Sequence, residues 1–412
     1  MEKLAGSTDL SEVLKLIIDS LRDCLHAERA SVFQYDPEQS ELFISQGHGL
    51  ADMRFPTTMG IAGESARNLA LINVADCYAD PRFNQAFDQK SGYRTRNMLT
   101  IPLISADTGL QGVAQVLNKD ITRGDRFDAG DEALARALAS QAAVALRRAK
   151  LLDAEVRKKK IEADLMLARK IQQSSWPQTV PQCDGYSIAA CSFPADETGG
   201  DTYDVFDLAD LCRDGISDES RRGVMLLMGD ATGHGVGPAL SVSQFRAMVR
   251  MGSRLGAPVD AIVQNINIQM VCDLPPGRFI TAFVGRFDGL TGTLTYCSAG
   301  QAPLLVVRAD GRYEELSANA MPLGIDPDQI PEPVEPIVLA PGDLFLMLSD
   351  GYFEAHDPDD AMLGVEPIIE IVRASAANDA TELLAKINLV AETFVRGRKF
   401  DDDRTAIIIK RM

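Results

Sequence analysis

The chain reads as an α+β protein: a first unit of helices and short strands, one long helix, and a second unit built on buried strands. Three observations carry that reading. Leu10, Val13, Leu14, Ile17, Ile18, Leu21 and Leu25 share one helical face, and short apolar runs follow them. From Asp131 to Trp176 there is neither Pro nor Gly, so nothing interrupts a helix of about 45 residues. Further on, Val224–Met228 and Leu344–Leu348 are apolar runs ending in Gly229-Asp230 and Ser349-Asp350-Gly351. That is the pattern of buried strands that deliver an aspartate at their C-terminal ends.

Taken in order, the first helix has Ser7 or Thr8 as its cap. Strands are expected at Ala30–Tyr35, Glu41–Gln46, Leu99–Ile104 and Gly112–Leu117. In the long helix Leu138, Ala142, Ala145, Ala149, Leu152 and Val156 keep a 4-3 rhythm, as in a coiled-coil seam. The rhythm breaks at Lys158–Lys160 and resumes in another register at Ile161, Leu165 and Ala168. Such a helix is either a bistable transmitter between two domains or a cover for one domain's face. Trp176-Pro177 ends it. Residues 207–222 are polar and read as a surface loop or hairpin, and 331–336 (PEPVEP) as an extended connector. Thr405–Ile409 is a β-branched strand just behind Asp402 and Asp403.

Composition bounds the function. With 412 residues the chain is long enough for two or three domains, and 46% apolar residues suffice for real cores. No apolar run approaches the ~20 residues of a membrane-spanning helix. The start, MEKLAGSTDLSEVL, lacks a charged-then-apolar signal pattern. Seven cysteines, an odd number without a CxxC pair, point to reduced thiols. The expectation is therefore a cytoplasmic protein. A net charge of −18 argues against nucleic acid, whose phosphates it would repel. There is no GxxxxGK[ST] loop for ATP.

The chemistry lies in four segments: GGDTYD (Gly199–Asp204), MGDATGHG (Met228–Gly235), LSDG (Leu348–Gly351) and FDDDRT (Phe400–Thr405). Asp-Gly and Gly-Asp are ordinary turn formers, so one such segment alone would mean little. Four of them, two on strongly buried strands, imply that carboxylates gather. Like charges repel at close range and need a reason to do so. A pair of hard divalent cations is such a reason: Mg²⁺ and Mn²⁺ take oxygen ligands and keep several waters. Two ions about 3.5–4 Å apart clamp a phosphoryl group and activate water.

At this point a resemblance is clear. PADETGGDTYDVF (Pro194–Phe206), GDATGHGVGPAL (Gly229–Leu240), FITAFVGRFD (Phe279–Asp288), SAGQAPLL (Ser298–Leu305), MPLGI (Met321–Ile325), PGDLFLMLSDGYFEA (Pro341–Ala355) and DDDRTAIIIKR (Asp401–Arg411) follow one family's order. The stretch from about 183 to 412 resembles the metal-dependent protein phosphatase 2C superfamily, in its bacterial SpoIIE- and RsbU-like branch. The resemblance implies an αββα sandwich and binuclear Mn²⁺ or Mg²⁺ hydrolysis of phosphoserine or phosphothreonine on a protein. It implies that Asp230 bridges both metals and that Ala231 lends a backbone carbonyl. Asp350 would bind one metal and Asp402 the other, with Asp403 as competitor in the triple-Asp run. Asp201 would support the centre directly or through water. Its implied substrate is a phosphorylated anti-sigma-factor antagonist. Two departures stand out. Thr232 occupies the place where eukaryotic relatives carry a His, with His234 nearby as a turn residue. Their phosphate-gripping Arg has no match before Gly199.

The first 130 residues resemble a GAF domain, a small-molecule sensor module. GIAGESARN (Gly60–Asn68), INVADCYADPRFN (Ile72–Asn84), MLTIPL (Met98–Leu103) and GVAQVLNK (Gly112–Lys119) carry the likeness. Asn118-Lys119, then Phe127, Asp131 and Glu132, resemble the NK…F…DE signature of cyclic-nucleotide-binding GAF domains. In that family the signature mostly supports the fold. A cyclic nucleotide or another small ligand is thus the candidate for this domain. The expected organisation is a GAF sensor at 1–130, a coiled-coil linker at 131–178 and a catalytic domain at 179–412, acting as a homodimer. The rival reading is a nucleotide-binding sensor whose phosphatase-like fold is a non-catalytic scaffold; a missing metal carboxylate would favour it, and none is missing.

Overall fold

The structure, a computed structural model, describes residues 10–44, 53–196, 198–211, 223–233 and 235–412. The proposed caps Ser7 and Thr8, the end of the expected strand at Ser45-Gln46, His234 and most of the 207–222 loop lie outside them. Two compact units divide between Ile161 and Glu162.

The first unit is one antiparallel sheet of six strands. They are β1 (Ala27–Asp36), β2 (Glu41–Phe43), β3 (Arg54–Pro56), β4 (Ile72–Val74), β5 (Met98–Ser105) and β6 (Gly109–Lys119), in the order β3-β2-β1-β6-β5-β4. Helix α1 (Leu10–Cys24) buries the predicted face, Val13, Leu14, Ile17, Ile18 and Leu21, and Leu25 just beyond it. Sequence periodicity did not flag β3, β4 or the helices α2 (Gly60–Asn68) and α3 (Ala86–Ser91). Three-residue strands are too short to show a period.

The long helix α4 runs Ala129–Ser175, 47 residues. Asp128 and Asp131 cap it reciprocally, each carboxylate accepting the other's backbone N–H at 2.9 Å. Ala142 and Ala149 of the expected seam are buried in the first unit's core together with Ala135, Ala139, Ala143 and Leu146, and Leu138 and Ala145 pack against it. The 4-3 rhythm up to Ala149 is therefore spent on the chain's own sheet. These small alanines share one core with α1 and strands of the sheet. Val144, Leu151 and Ile161, on other faces, are 58, 61 and 61% exposed.

The second unit has two antiparallel five-stranded sheets. One contains β8 (Asp201–Asp207), β9 (Val224–Ala231), β10 (Ile280–Asp288), β11 (Thr293–Ala299) and β14 (Ile337–Val338), ordered β14-β11-β10-β9-β8. The other contains β7 (Tyr186–Phe193), β12 (Leu304–Val307), β13 (Tyr313–Leu316), β15 (Leu344–Leu348) and β16 (Arg404–Arg411), ordered β13-β12-β15-β16-β7. Phe283, Phe287, Met228 and Leu226 of the first share one core with Phe345, Met347, Ile407 and Ile409 of the second. Helices α5 (Val236–Arg254) and α6 (Val259–Asp273) form a separate core with the other side of the first sheet, through Phe245, Val249 and Met270. A short turn of helix, α7 (Asp350–Phe353), follows β15. Helices α8 (Glu366–Ala374) and α9 (Ala380–Phe394) cover the second sheet through Ile368, Leu383 and Ile387.

Candidate active site

Strand pairing brings the four aspartate segments together two by two, and hydrogen bonds of Asp201 with Asp403 and Thr405 join the pairs across the sheets. Asp201 opens β8 directly opposite Asp230 near the end of β9. Asp350 lies two residues past the end of β15, and Asp402 and Asp403 precede the first residue of β16, its neighbour. Ser349 ties these two ends: its backbone N–H reaches Thr405 O at 2.8 Å, and its hydroxyl bonds Asp403 O at 3.0 Å and Thr405 N at 2.8 Å. The predicted residues thus meet at one end of both sheets.

Their environments differ. Burial, then repulsion from Asp350, Asp402 and Asp403, pushes the Asp230 carboxyl up to about 7. Burial and repulsion from Asp402 and Glu354 push Asp350 up to about 6. Asp201 is 2% exposed, and its carboxylate is enclosed by the Thr405 hydroxyl at 2.5 Å and by Ser349. Burial and the repulsion of Asp230 and Asp403 hold it well above the usual carboxylate range in spite of those bonds.

The triple-Asp run divides by exposure. Asp403 is buried, and its two oxygens accept the backbone N–H groups of Ala195 (2.7 Å) and Asp201 (3.1 Å). Asp402 is exposed and accepts only its neighbour's N–H, at 2.8 Å. Among the described residues no Lys or Arg pairs with any of these five aspartates.

The donor set fits hard cations. An ideal Cβ on Gly200 would lie 2.9 Å from Ala231 O, 3.1 Å from Asp230 Oδ1 and 3.1 Å from Gly233 O. Only glycine leaves that oxygen-lined space open. Among the described residues no three His, Cys, Asp or Glu side chains close on one point tightly enough to hold an ion by themselves. Carbonyls and water would supply the remaining positions, as Mg²⁺ habitually requires.

Several supporting residues were not singled out from the sequence. Gln172, in the last turns of α4, is buried and clamps the Gly199 backbone: Nε2 donates to Gly199 O at 2.8 Å and Oε1 accepts Gly199 N at 3.3 Å. Its signal is faint, a polar residue where the helix pattern still runs apolar. Gln301 receives the Thr281 hydroxyl on Oε1 at 3.2 Å and donates to Leu348 O at 3.1 Å. Thr281, on β10, stands opposite Asp230, so this amide ties the strand beside Asp230 to the end of β15. Thr232 is held by β10, its hydroxyl accepting Phe279 N at 3.3 Å and its N–H reaching Phe279 O at 3.1 Å.

In the first unit a cavity of about 510 Å³ is lined by Phe33, Phe55, Phe83, Arg29, Asp88 and Gln115, among others. None of Asn118, Lys119, Phe127, Asp131 or Glu132 lines it. They bind one another's surroundings instead. Asn118 donates to Glu28 at 2.9 Å and to the Tyr93 hydroxyl at 2.8 Å, Lys119 pairs with Asp131, and Glu132 accepts from Asn73 at 2.9 Å.

Two family models match separate stretches of the chain. The family model for stage II sporulation protein E (SpoIIE) matches residues 220–412, and the GAF-domain model matches residues 9–146. Protein IcfG of Synechocystis sp. is 24% identical over 275 residues, 60% of this chain and 41% of that protein. Phosphoserine phosphatase RsbU of Bacillus subtilis is 23% identical over 254 residues, 61% of this chain and 71% of that protein. The chain thus spans about two fifths of the length of the first of these relatives. The SiaA-PP2C domain of Pseudomonas aeruginosa superposes with a TM-score of 0.50 at 22% identity, covering 62% of this chain and 98% of that domain, a likeness of fold. The chain joins a GAF domain to a SpoIIE-type phosphatase 2C domain.

Proposed function

We propose that the protein is a signal-regulated, Mn²⁺- or Mg²⁺-dependent phosphatase of phosphoserine or phosphothreonine in a protein. The observation that carries this is the gathering of Asp230, Asp350 and Asp402 at one end of two sheets, with no cationic side chain paired to them among the described residues. The layers of the second unit read as helix, sheet, sheet, helix, the αββα sandwich of the phosphatase 2C class. The site residues fall into two roles. Asp230, Asp350, Asp402 and the Ala231 carbonyl would hold the cations. Asp201 and Asp403 hold the strand ends, because their carboxylates are spent on Thr405, Ser349 and backbone N–H groups.

Two divalent cations bound there would neutralise a phosphoryl group and lower the pKa of water. The chain's own part is to fix the carboxylates in place before substrate arrives. Gln301 and Ser349 do so by joining the strand ends, and Gln172 by holding the Gly199 backbone. Such fixed geometry is what makes electrostatic stabilisation effective.

The substrate we favour is a phosphorylated anti-sigma-factor antagonist, on the strength of the RsbU-like pattern. The GAF cavity would take a small ligand, with a cyclic nucleotide as the candidate. The protein would act in the cytoplasm, since no described helix is long and apolar enough to cross a membrane and the described thiols are unpaired. It would act as a homodimer through α4. The seam we favour is Val144, Leu151, Ala154 and Ile161, which leaves the core-facing alanines in place. The domain limits would be 1–130, 131–178 and 179–412, with the start of the linker doubling as part of the sensor's core.

The direct test is Mn²⁺-dependent hydrolysis of p-nitrophenyl phosphate and of a phosphoserine peptide. Asp230→Asn is expected to abolish both while leaving the fold intact by circular dichroism. Wild-type rates in a folded Asp230→Asn protein would remove the two-metal reading and favour the non-catalytic scaffold.

A further inference from the structure

Arg278 stands just before β10, and its guanidinium donates through Nη1 to the backbone carbonyl of Thr232, two residues past Asp230. No carboxylate is paired with it among the described residues, although it is exposed in a chain of net charge −18. The surrounding loop explains the contact. The carbonyls of Ala231 and Gly233 both face the open space beside Gly200, as does Asp230 Oδ1. The carbonyl between them, that of Thr232, is the one taken by Arg278. Gly233 has a φ of +89°, and a Cβ there would fall 2.1 Å from Arg278 Nη1. The positive φ calls for glycine at 233, and its missing side chain leaves room for the guanidinium.

We infer that Arg278 is a positioning residue of the metal centre: by holding Thr232 O it keeps the carbonyls of Ala231 and Gly233 turned toward Asp230, and Gly233 O is a further oxygen donor to the cation. The physical reason is peptide geometry. Two carbonyls separated by one residue can face the same side when the peptide between them is turned away and its oxygen satisfied. A charge-assisted hydrogen bond from a guanidinium is a strong way to satisfy it. An alternative use for an exposed arginine near a phosphatase site is to grip the substrate's phosphate directly. The bond to the Thr232 carbonyl favours the positioning role.

This rests on the metal reading given above, and the test separates the two. Mn²⁺ binding to the full chain is measured by titration calorimetry, with melting temperatures in chelator and in Mn²⁺. Arg278→Ala is expected to weaken Mn²⁺ at least about tenfold, with the melting temperature in chelator unchanged. Arg278→Lys, which keeps one donor, is expected to recover most of the affinity. Unchanged Mn²⁺ affinity in Arg278→Ala, whether or not the KM for p-nitrophenyl phosphate rises, overturns the inference. So does an affinity loss matched by a fall of the melting temperature in chelator, which would mark a general staple. A wild-type chain that binds no Mn²⁺ overturns the inference together with the metal reading.

Discussion

At the scale of single residues, exposure separates two aspartates that adjacency in sequence left equivalent. Asp403 holds two backbone N–H groups, and leaving buried donors unsatisfied costs about 1–3 kcal/mol each. Asp403→Ala should therefore destabilise the chain by about 2–4 kcal/mol in urea unfolding with chelator present. Asp402→Ala should leave stability in chelator unchanged or slightly higher, since it removes a like charge near Asp230 and Asp350, and yet abolish Mn²⁺-dependent turnover. A stable Asp403→Ala protein beside an unfolded Asp402→Ala protein would reverse these roles. The thiols offer a second test. Burial pushes Cys77 and Cys297 up to about 12. At pH 8 about one in ten thousand such thiols is the reactive thiolate. Cys24 and Cys272 are exposed. Iodoacetamide on the native chain at pH 8 should label Cys24 and Cys272 and spare Cys77 and Cys297, and labelling of Cys77 or Cys297 should begin only as the pH climbs toward 12. Mass spectrometry of the digested protein reads this directly.

At the scale of elements, α4 buries its alanines on one face and exposes apolar residues on others. Its alanines, small and good helix formers, bury against the first sheet as far as Ala149. Its exposed apolar residues Val144, Leu151 and Ile161 lie on the proposed dimer seam. Light scattering should show a dimer at micromolar concentration, and Leu151→Lys with Ile161→Lys should give monomers that melt like the wild type. Lysine at Ala142 or Ala149 should instead unfold the first unit, because it buries a charge in a packed core. A monomeric wild type would sink the seam. The end of the same helix carries Gln172, so a helix that runs through both units also touches the Gly199 backbone beside the aspartates.

At the scale of the whole molecule, a GAF domain, a long helix and the proposed hydrolytic site lie on one chain. A ligand shifts activity only if it binds two states unequally. A cyclic nucleotide that fills the GAF cavity should change Mn²⁺-dependent turnover severalfold, a coupling of about 1–3 kcal/mol. Calorimetry with cyclic AMP and cyclic GMP, followed by turnover in their presence, checks it. No heat with either up to about millimolar ligand would eliminate cyclic nucleotides as the signal and leave the hydrolytic site untouched.

The sequence alone carried the secondary structure wherever the period was long. It marked the face of α1, the length of α4, the apolar strands β9 and β15, and the aspartates at their ends. Local pattern suffices there, because amphipathic periodicity and turn chemistry are written in neighbouring residues. Three-residue strands such as β3 and β4 left no such trace. Two matters were decided only by tertiary structure. The 4-3 rhythm of α4 says that a stripe is apolar but not what covers it, and the first sheet claims the alanines before a second chain can. Asp402 and Asp403 are adjacent and chemically identical. Only the fold, by presenting the N–H groups of Ala195 and Asp201 from more than two hundred positions away, makes one a structural strap and leaves the other exposed.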